Sequence, residues 1–485
     1  MLKSIAHDHP DTTWQGTEIA YNLIYSSRKA VYFPWEFETA TRSYVWPVAL
    51  IVPVQISLLL GFRGLAIYHF LRLLGAVFSL LAILSIHKFF NEDGISDKIV
   101  GTSAAWVFAL FYPIVYMSSK ISVDAIAITL TIMALLAYKR SLKPDGSAWS
   151  QFKFGLLLGV SITIRHQFVL FWVFVIYKFL RLRKYWFFLG MTVGILPLLL
   201  TDLYYYGIPG ISLWNFFNFN VVQNKSGTWG THPWYYYELV ILPIFFGFAI
   251  LLIIRLIFLS HTQINNSEMG GLLLGILAYI VIFHTIPVKE ITFIYPGVIL
   301  LLCLAFNGIP KFIANLRGGK LKHLWRMLLA LTLITSFLGL AFTSEPDIQL
   351  SNLWLAQEYV LENFPDQSLG IMGTHADTGG NLLQFPNNEN ERFFRFHLLS
   401  DTISDIQFMD LIILNSFNND YILNYKIMME NCSFPVLLKE YKEVYVFRYM
   451  GPIGDELLDF SLQNNILDNI YKAEVWSCQL FKEML

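Results

Sequence analysis

The stretch HPDTTWQGTEIAYN, which starts at His9, carries two carboxylates seven residues apart, Asp11 and Glu18. Seven residues is close to two turns of an α-helix, so a helix here predicts Asp11, Gln15 and Glu18 on one face with Trp14 beside them. A carboxylate within reach of an incoming hydroxyl can act as a general base, and a second polar group one or two turns away can hold that hydroxyl in place. The plainer alternative is a solvated helical face on which Asp11 caps the helix N-terminus.

Similar residue types recur far along the chain. Asp11, Glu18, Glu36, Asp124, His232, Trp234, His284 and Glu290 all fall between long apolar segments or at their ends, while few charges fall deep inside those segments, Arg72 being the main one. Ionisable residues in mid-membrane mark ion and proton pathways. Their scarcity favours a membrane enzyme with its mouth at the interface over a pump. The segment 204–237, rich in Tyr and Trp, fits an interfacial aromatic belt, and its rings with interleaved Asn, Gln and His also suit sugars and lipid-linked head groups.

The elements that must position these groups are membrane helices. Of 485 residues, 55% are hydrophobic and only 14% charged, and the mean hydropathy is +0.51, well outside the range of soluble globular chains. Apolar runs of spanning length lie near 65–87, 99–118, 120–138, 184–203, 238–259, 269–286, 291–308 and 324–343. A further block, 153–181, is split by Arg165-His166-Gln167 into two short pieces that meet at an interface. Residues 44–62 are expected to lie in or dip into the membrane, helped by Pro47 and Pro53. The whole predicts a polytopic α-helical membrane protein with about 10 to 11 spans.

The net charge of −1 conceals a strong asymmetry. Residues 344–485 hold 21 Asp and Glu against 8 Lys and Arg, and residues 1–343 hold 14 against 26. The tail reads as a soluble α/β domain: LWLAQEYVLENF has helical period, and LGIMG, DLIILN and EVYVFR look like strands. The domains expected are therefore 1–43 as a first outer loop, 44–343 as the membrane domain with the loop 204–237, and 344–485 as the soluble tail. Three cysteines, none in a C-x-x-C pair, exclude a disulfide framework and a thiolate metal site. Nothing in the composition points to nucleic acid.

Sidedness follows from the basic residues, which concentrate in cytosolic loops. The loops 88–98, 139–153, 178–184, 255–268 and 309–326 carry 16 Lys and Arg, and the alternate connections carry five: Arg63, Lys120, Arg165, Lys225 and Lys289. That bias puts the N-terminal motif, the aromatic loop, the turn 284–290 and the tail on one non-cytosolic side.

The motifs on that side resemble a known family. HPDTTWQGTEIAYN and PWEFETATRSYVWP (34–47) resemble the first lumenal loop of the dolichyl-phosphate-mannose-dependent mannosyltransferases of glycosyltransferase family 22. WNFFNFNVVQNKSGTWGTHPWYYY resembles that family's long lumenal loop, in the branch that adds the third mannose of the glycosylphosphatidylinositol (GPI) anchor. VKEITFIYP (288–296) resembles the family's H-K-E-x-R-F motif, and GTHADT (373–378) aligns loosely in the tail. Thr12, Val288 and Thr292 stand where the family has an acid, a His and an Arg. The spanning helix expected ahead of the opening motif has no counterpart, which implies a shortened or divergent member.

The resemblance implies a GT-C type fold with a lumenal tail. It also implies inverting transfer of mannose from a polyprenyl (dolichyl) phosphate to a glycolipid, in GPI-anchor biosynthesis at the endoplasmic reticulum membrane, with a bacterial plasma membrane as the alternative site. No metal or cofactor is implied. Asp11 matches the family's retained acid and becomes the candidate base. Gln15, Glu18, Trp35, Glu36, Arg42, His232, Trp234 and Glu290 become candidate substrate contacts, and Arg165, His166 and Lys289 candidate phosphate contacts. Structural alternatives stand beside them: Arg42 as an interfacial anchor, Arg165, His166 and Lys289 as helix caps or snorkelling groups, and His232 in a structural hydrogen bond.

Two rival functions remain at this stage. A lipid-linked sugar flippase or other transporter predicts two related halves with broken midplane helices, and no such repeat is visible. A family member that has lost catalysis is the rival raised by Thr12, Val288 and Thr292.

Overall fold

The computed structural model describes residues 13–24, 34–62, 65–91, 98–110, 114–115, 122–143, 146–225, 231–237, 270–287, 289, 291–306 and 334, and five strands between 369 and 449. Twelve α-helices are described: α1 Glu18–Ile24, α2 Trp35–Glu38, α3 Val45–Leu59, α4 Leu65–Asn91, α5 Lys98–Leu110, α6 Val123–Ser141, α7 Ala148–Ile164, α8 Val169–Arg181, α9 Tyr185–Tyr206, α10 Ile211–Phe217, α11 Gly270–Thr285 and α12 Ile291–Phe306. Two of them, α4 and α9, are long and apolar enough to cross a membrane. The apolar runs expected at 238–259 and 324–343 fall outside the described residues except for Ile334, which is helical.

Local signals account for the helix ends. Ser122 caps α6 by accepting from the Ala125 N–H, and Ser147 caps α7 by accepting from the Ser150 N–H, which satisfies donors that have no partner within the helix. Arg165 takes an extended conformation and stops α7, and a 3₁₀ turn, His166–Phe168, leads into α8. The split expected within 153–181 is thus real and sits at Arg165. Residues 44–62 contain α3, which continues through Pro53. Its 15 residues span about 22 Å, short of a hydrocarbon core about 30 Å thick.

The chain forms two compact units: residues 1–34, 47–70 and 345–485, and residues 35–46 and 71–344. The second holds α6 to α12 and the larger core. Phe154 of α7 lies within 5.5 Å, ring centroid to centroid, of Tyr138, Trp172, Phe179 and Phe187. Small residues bring α7 and α9 together: a Cβ on Gly155 would collide with the Phe187 carbonyl, and one on Gly194 with the Leu156 carbonyl. Gly155 and Gly159 face Gly190 and Gly194, the small-xxx-small spacing that lets helix backbones touch in a membrane. Thr163 adds a hydrogen bond to the Gly194 carbonyl at 3.0 Å, and Thr131 and Ser161 join α6 to α7 at 2.6 Å.

In the first unit a π-turn, Thr13–Thr17, precedes α1. The five strands β1 Leu369–Met372, β2 Phe393–Phe396, β3 Leu411–Asn415, β4 Pro435–Tyr441 and β5 Val444–Tyr449 form one sheet in the order β2-β1-β3-β5-β4. β1 is parallel to both neighbours, pairing Leu369 with Phe393 and with Leu411, while β5 is antiparallel to β3 and to β4. The segments LGIMG and DLIILN, expected as strands, hold β1 and β3, and EVYVFR holds all of β5 but Tyr449.

Candidate functional site

Within the second unit, two clusters gather most of the candidate residues. The first is built on the break between α7 and α8. Arg165, thrown out of the helix by its extended backbone, places Nε 2.7 Å from Asp124 Oδ1, and its guanidinium lies 5.5 Å from the centre of the Phe293 ring. Both partners are nearly buried, with 14% and 12% of their side chains exposed. Asp124 sits in the first turn of α6, where the partial positive charge of the helix N-terminus also favours a carboxylate.

His166 follows. Its Nδ1 lies 3.3 Å from the Ile162 carbonyl, which can only accept, so Nδ1 carries the proton. The ring meets Phe216 edge-on at 5.5 Å. Burial pushes its pKa down to about 4; the Ile162 carbonyl opposes this, and Arg165 and Arg42 reinforce it. Two guanidiniums, Arg165 and Arg42, thus act with burial to favour the neutral form of the ring. Among the described residues the Arg42 side chain makes no ion pair.

The segment that delivers Arg42 is locally knotted. The Glu36 carbonyl accepts from the backbone N–H of Thr41 and of Arg42 and from the Thr41 hydroxyl, and Ala40 takes φ 50°. The aromatic loop then clasps it. Tyr206 donates its hydroxyl to the Arg42 carbonyl at 2.7 Å, Tyr44 stacks on Tyr205 at 3.9 Å, Asn215 donates to the Thr39 carbonyl at 3.0 Å, and Trp35 meets Phe219 at 5.0 Å. Trp35, Glu36, Arg42, Arg165 and His166 therefore belong to one region, held by α9 and α10. The buried Asp202–Ser212 pair at the start of α10 was not anticipated, although a lone acid at the end of an apolar run is the signal that could have found it.

The second cluster is a cavity of about 630 Å³ lined by His232, Trp234, Ile280, Val281, His284, Thr285, Pro287 and Lys289. The His232 N–H donates to the Pro287 carbonyl at 3.0 Å, and its ring meets Tyr236 at 4.3 Å. Buried Lys289 donates from Nζ to the carbonyls of His284 and Ile286, and so caps the end of α11. Tyr237 packs against both His284 and Lys289. Phe293 and Tyr279 connect the two clusters: the Tyr279 hydroxyl donates to the Phe293 carbonyl at 2.6 Å, and Phe293 carries Arg165 on its face.

Gln15 and Glu18 lie in the first unit and are buried, at 4% and 6% exposure, which rules out a solvated face. The π-turn widens the helix around Gln15, so Gln15 and Glu18 are separated by less of a turn than α-helical spacing predicts. Asp11 and Glu290 fall outside the described residues. Among the described residues no group of three or more His, Cys, Asp or Glu could hold a metal ion.

Residues 1–349 match the model of the Alg9-like mannosyltransferase family. The chain belongs to that family. Its relatives include the GPI alpha-1,2-mannosyltransferase 3 of Danio rerio, 26% identical over 311 residues, covering 62% of this chain and 55% of that protein. The human protein of the same name is 26% identical over 312 residues, covering 62% and 53%. GPI mannosyltransferase 3 of Candida albicans is 27% identical over 312 residues, covering 62% and 60%. The chain thus spans little more than half the length of these relatives. Its fold is similar to that of ArnT from Cupriavidus metallidurans, solved bound to undecaprenyl phosphate: TM-score 0.57 and 12% identity, covering 93% of this chain and 96% of that one. The chain thus combines membership of the Alg9-like mannosyltransferase family with an ArnT-like fold.

Proposed function

We propose that this chain is an inverting mannosyltransferase that moves mannose from a polyprenyl-phosphate carrier to a glycolipid hydroxyl, in GPI-anchor assembly at the endoplasmic reticulum membrane or its counterpart in a bacterial plasma membrane. The observation that carries the reading is that α9 and α10 gather Arg42, Arg165 and His166 into one region: Tyr206 holds the Arg42 carbonyl at 2.7 Å, Phe216 meets the His166 ring, and Asp124 pairs with Arg165 at 2.7 Å. Asp124 pairs with Arg165, the Arg42 guanidinium makes no ion pair among the described residues, and a guanidinium fork matches phosphate oxygens. The names of the family relatives support mannose as the sugar.

In this mechanism the acceptor oxygen attacks C1 of the mannose while Asp11 takes its proton. The C1–O bond to the carrier breaks, and its electron pair leaves on the phosphate. Arg42 and Arg165 stabilise the charge that develops there, and His166 borders the phosphate as an uncharged ring. Gln15, Glu18, Trp35, Glu36 and Glu290 serve as further substrate contacts. Purified protein in lipid bilayers, given mannosyl polyprenyl phosphate and a mannosylated glycolipid, should extend the glycolipid by one mannose. Extension from GDP-mannose with no lipid carrier present would overturn the reading.

A further inference from the structure

The cavity at the end of α11 differs in kind from the Arg42–Arg165 cluster. Its cation, Lys289, donates to the carbonyl of His284, in the last turn of α11, and to that of Ile286, just past it, so its charge is directed to the negative end of that helix. The rest of the wall carries two imidazoles, an indole, a threonine, a proline and two aliphatic side chains. Trp234 stands over it with 69% of its surface exposed, and Val281, on the apolar helix α11, is 61% exposed at its edge.

These features describe a ligand. A broad exposed indole face attracts the slightly positive C–H face of a pyranose ring, through the same negative ring face that draws cations. His232 supplies hydrogen-bonding groups for hydroxyls, and the Thr285 hydroxyl, which donates to the Ile282 carbonyl, can accept one more. The apolar Val281 edge suits a ligand that arrives from the bilayer, and about 630 Å³ lies within the ordinary range of ligand sites, about 300–1,000 Å³.

We propose that this cavity binds the neutral glycan of the membrane-anchored acceptor, with Trp234 as its stacking platform and His232 as a specificity residue. The acceptor role rests on the mannosyltransferase reading, whereas binding of a glycan does not.

The test therefore uses a soluble probe, α-mannobiose, and the full chain in nanodiscs. Saturation-transfer NMR should show the disaccharide binding to the parent and to Trp214→Ala, whose indole is also exposed but lies on α10. The signal should fall at least about fivefold in Trp234→Ala and in His232→Ala. No binding to the parent, or equal binding to Trp234→Ala, overturns the proposal. In the transfer assay Trp234→Ala should raise the KM for the glycolipid about tenfold and leave the KM for the donor unchanged; a raised donor KM with an unchanged acceptor KM also overturns it. Trp234-dependent mannobiose binding by a protein that transfers no mannose would sustain the glycan site and refute the mannosyltransferase reading.

Discussion

Asp202, fully buried near the end of α9, accepts both the backbone N–H of Ser212, at 3.0 Å, and its hydroxyl, at 2.6 Å, through a single carboxylate oxygen. The other oxygen meets no donor among the described residues. The pair closes the turn between Gly207 and Gly210, both left-handed at φ 76° and 74°, a conformation that favours glycine. It thereby fixes the start of α10, which holds Phe216 on His166 and Asn215 on the Thr39 carbonyl.

Asp202→Ala leaves the buried Ser212 N–H without its acceptor and should cost about 1–3 kcal/mol of stability. Misplacing α10 should lower transfer by on the order of 10- to 100-fold. Asp202→Asn keeps a carbonyl that can accept both bonds and should stay within about threefold of the parent. Equal losses in both variants would show that the charge matters and the hydrogen bonds do not.

The Arg165–Asp124 pair predicts strong coupling. Removing either partner leaves the other charged and nearly buried, which typically costs about 3–5 kcal/mol at a fully buried site and less at this slightly open one. Denaturation of Asp124→Ala, Arg165→Ala and the double variant should therefore be non-additive by about 0.5–3 kcal/mol, with the double variant less destabilised than the two single losses combined. Strict additivity would mean that the pair is independent of its geometry.

How much of this was legible in sequence varied with its physical origin. Residues 184–203 announced α9, because a run that apolar has few alternatives to a membrane helix. Arg165 announced the α7–α8 break, because a charge is costly in the middle of a bilayer. His232, Trp234 and Lys289, singled out as polar and aromatic residues on the outer face, do line one cavity. The partnership of Arg165 with Asp124, 41 residues apart in sequence, depends on helix packing that a single chain does not encode locally. The α7–α9 contact does leave a trace in the sequence, in the four-residue spacing of Gly155 with Gly159 and of Gly190 with Gly194.

His166 predicts a defined pH response. Its folded pKa of about 4 lies below the ordinary 6.5, so below about pH 6.5 the unfolded chain takes up a proton that the folded chain refuses. Stability contributed by the neutral ring should be full above that value, decline as pH falls towards 4, and change no further below it. His166→Gln should flatten the stability curve between about pH 4 and 6.5. An unchanged slope would place the acid sensitivity elsewhere.

The sidedness inferred from basic residues is testable across one helix. The 22 residues of α9 extend about 33 Å, enough to cross the hydrocarbon core, and exposed Leu182 and Ile208 flank its two ends. With the three native cysteines replaced, Leu182→Cys should react with an impermeant thiol reagent only from the cytosolic side, and Ile208→Cys only from the other. The reverse pattern would invert the topology and place the aromatic loop in the cytosol.

The anomeric configuration of the new bond is the most direct test of single-displacement transfer from a lipid phosphate. Purified protein supplied with β-linked mannosyl polyprenyl phosphate and a mannosylated glycolipid should form an α-mannoside, read from the one-bond C1–H1 coupling of the product. A β-mannoside, formed with retention, would contradict attack by the acceptor hydroxyl on the carrier-bound sugar.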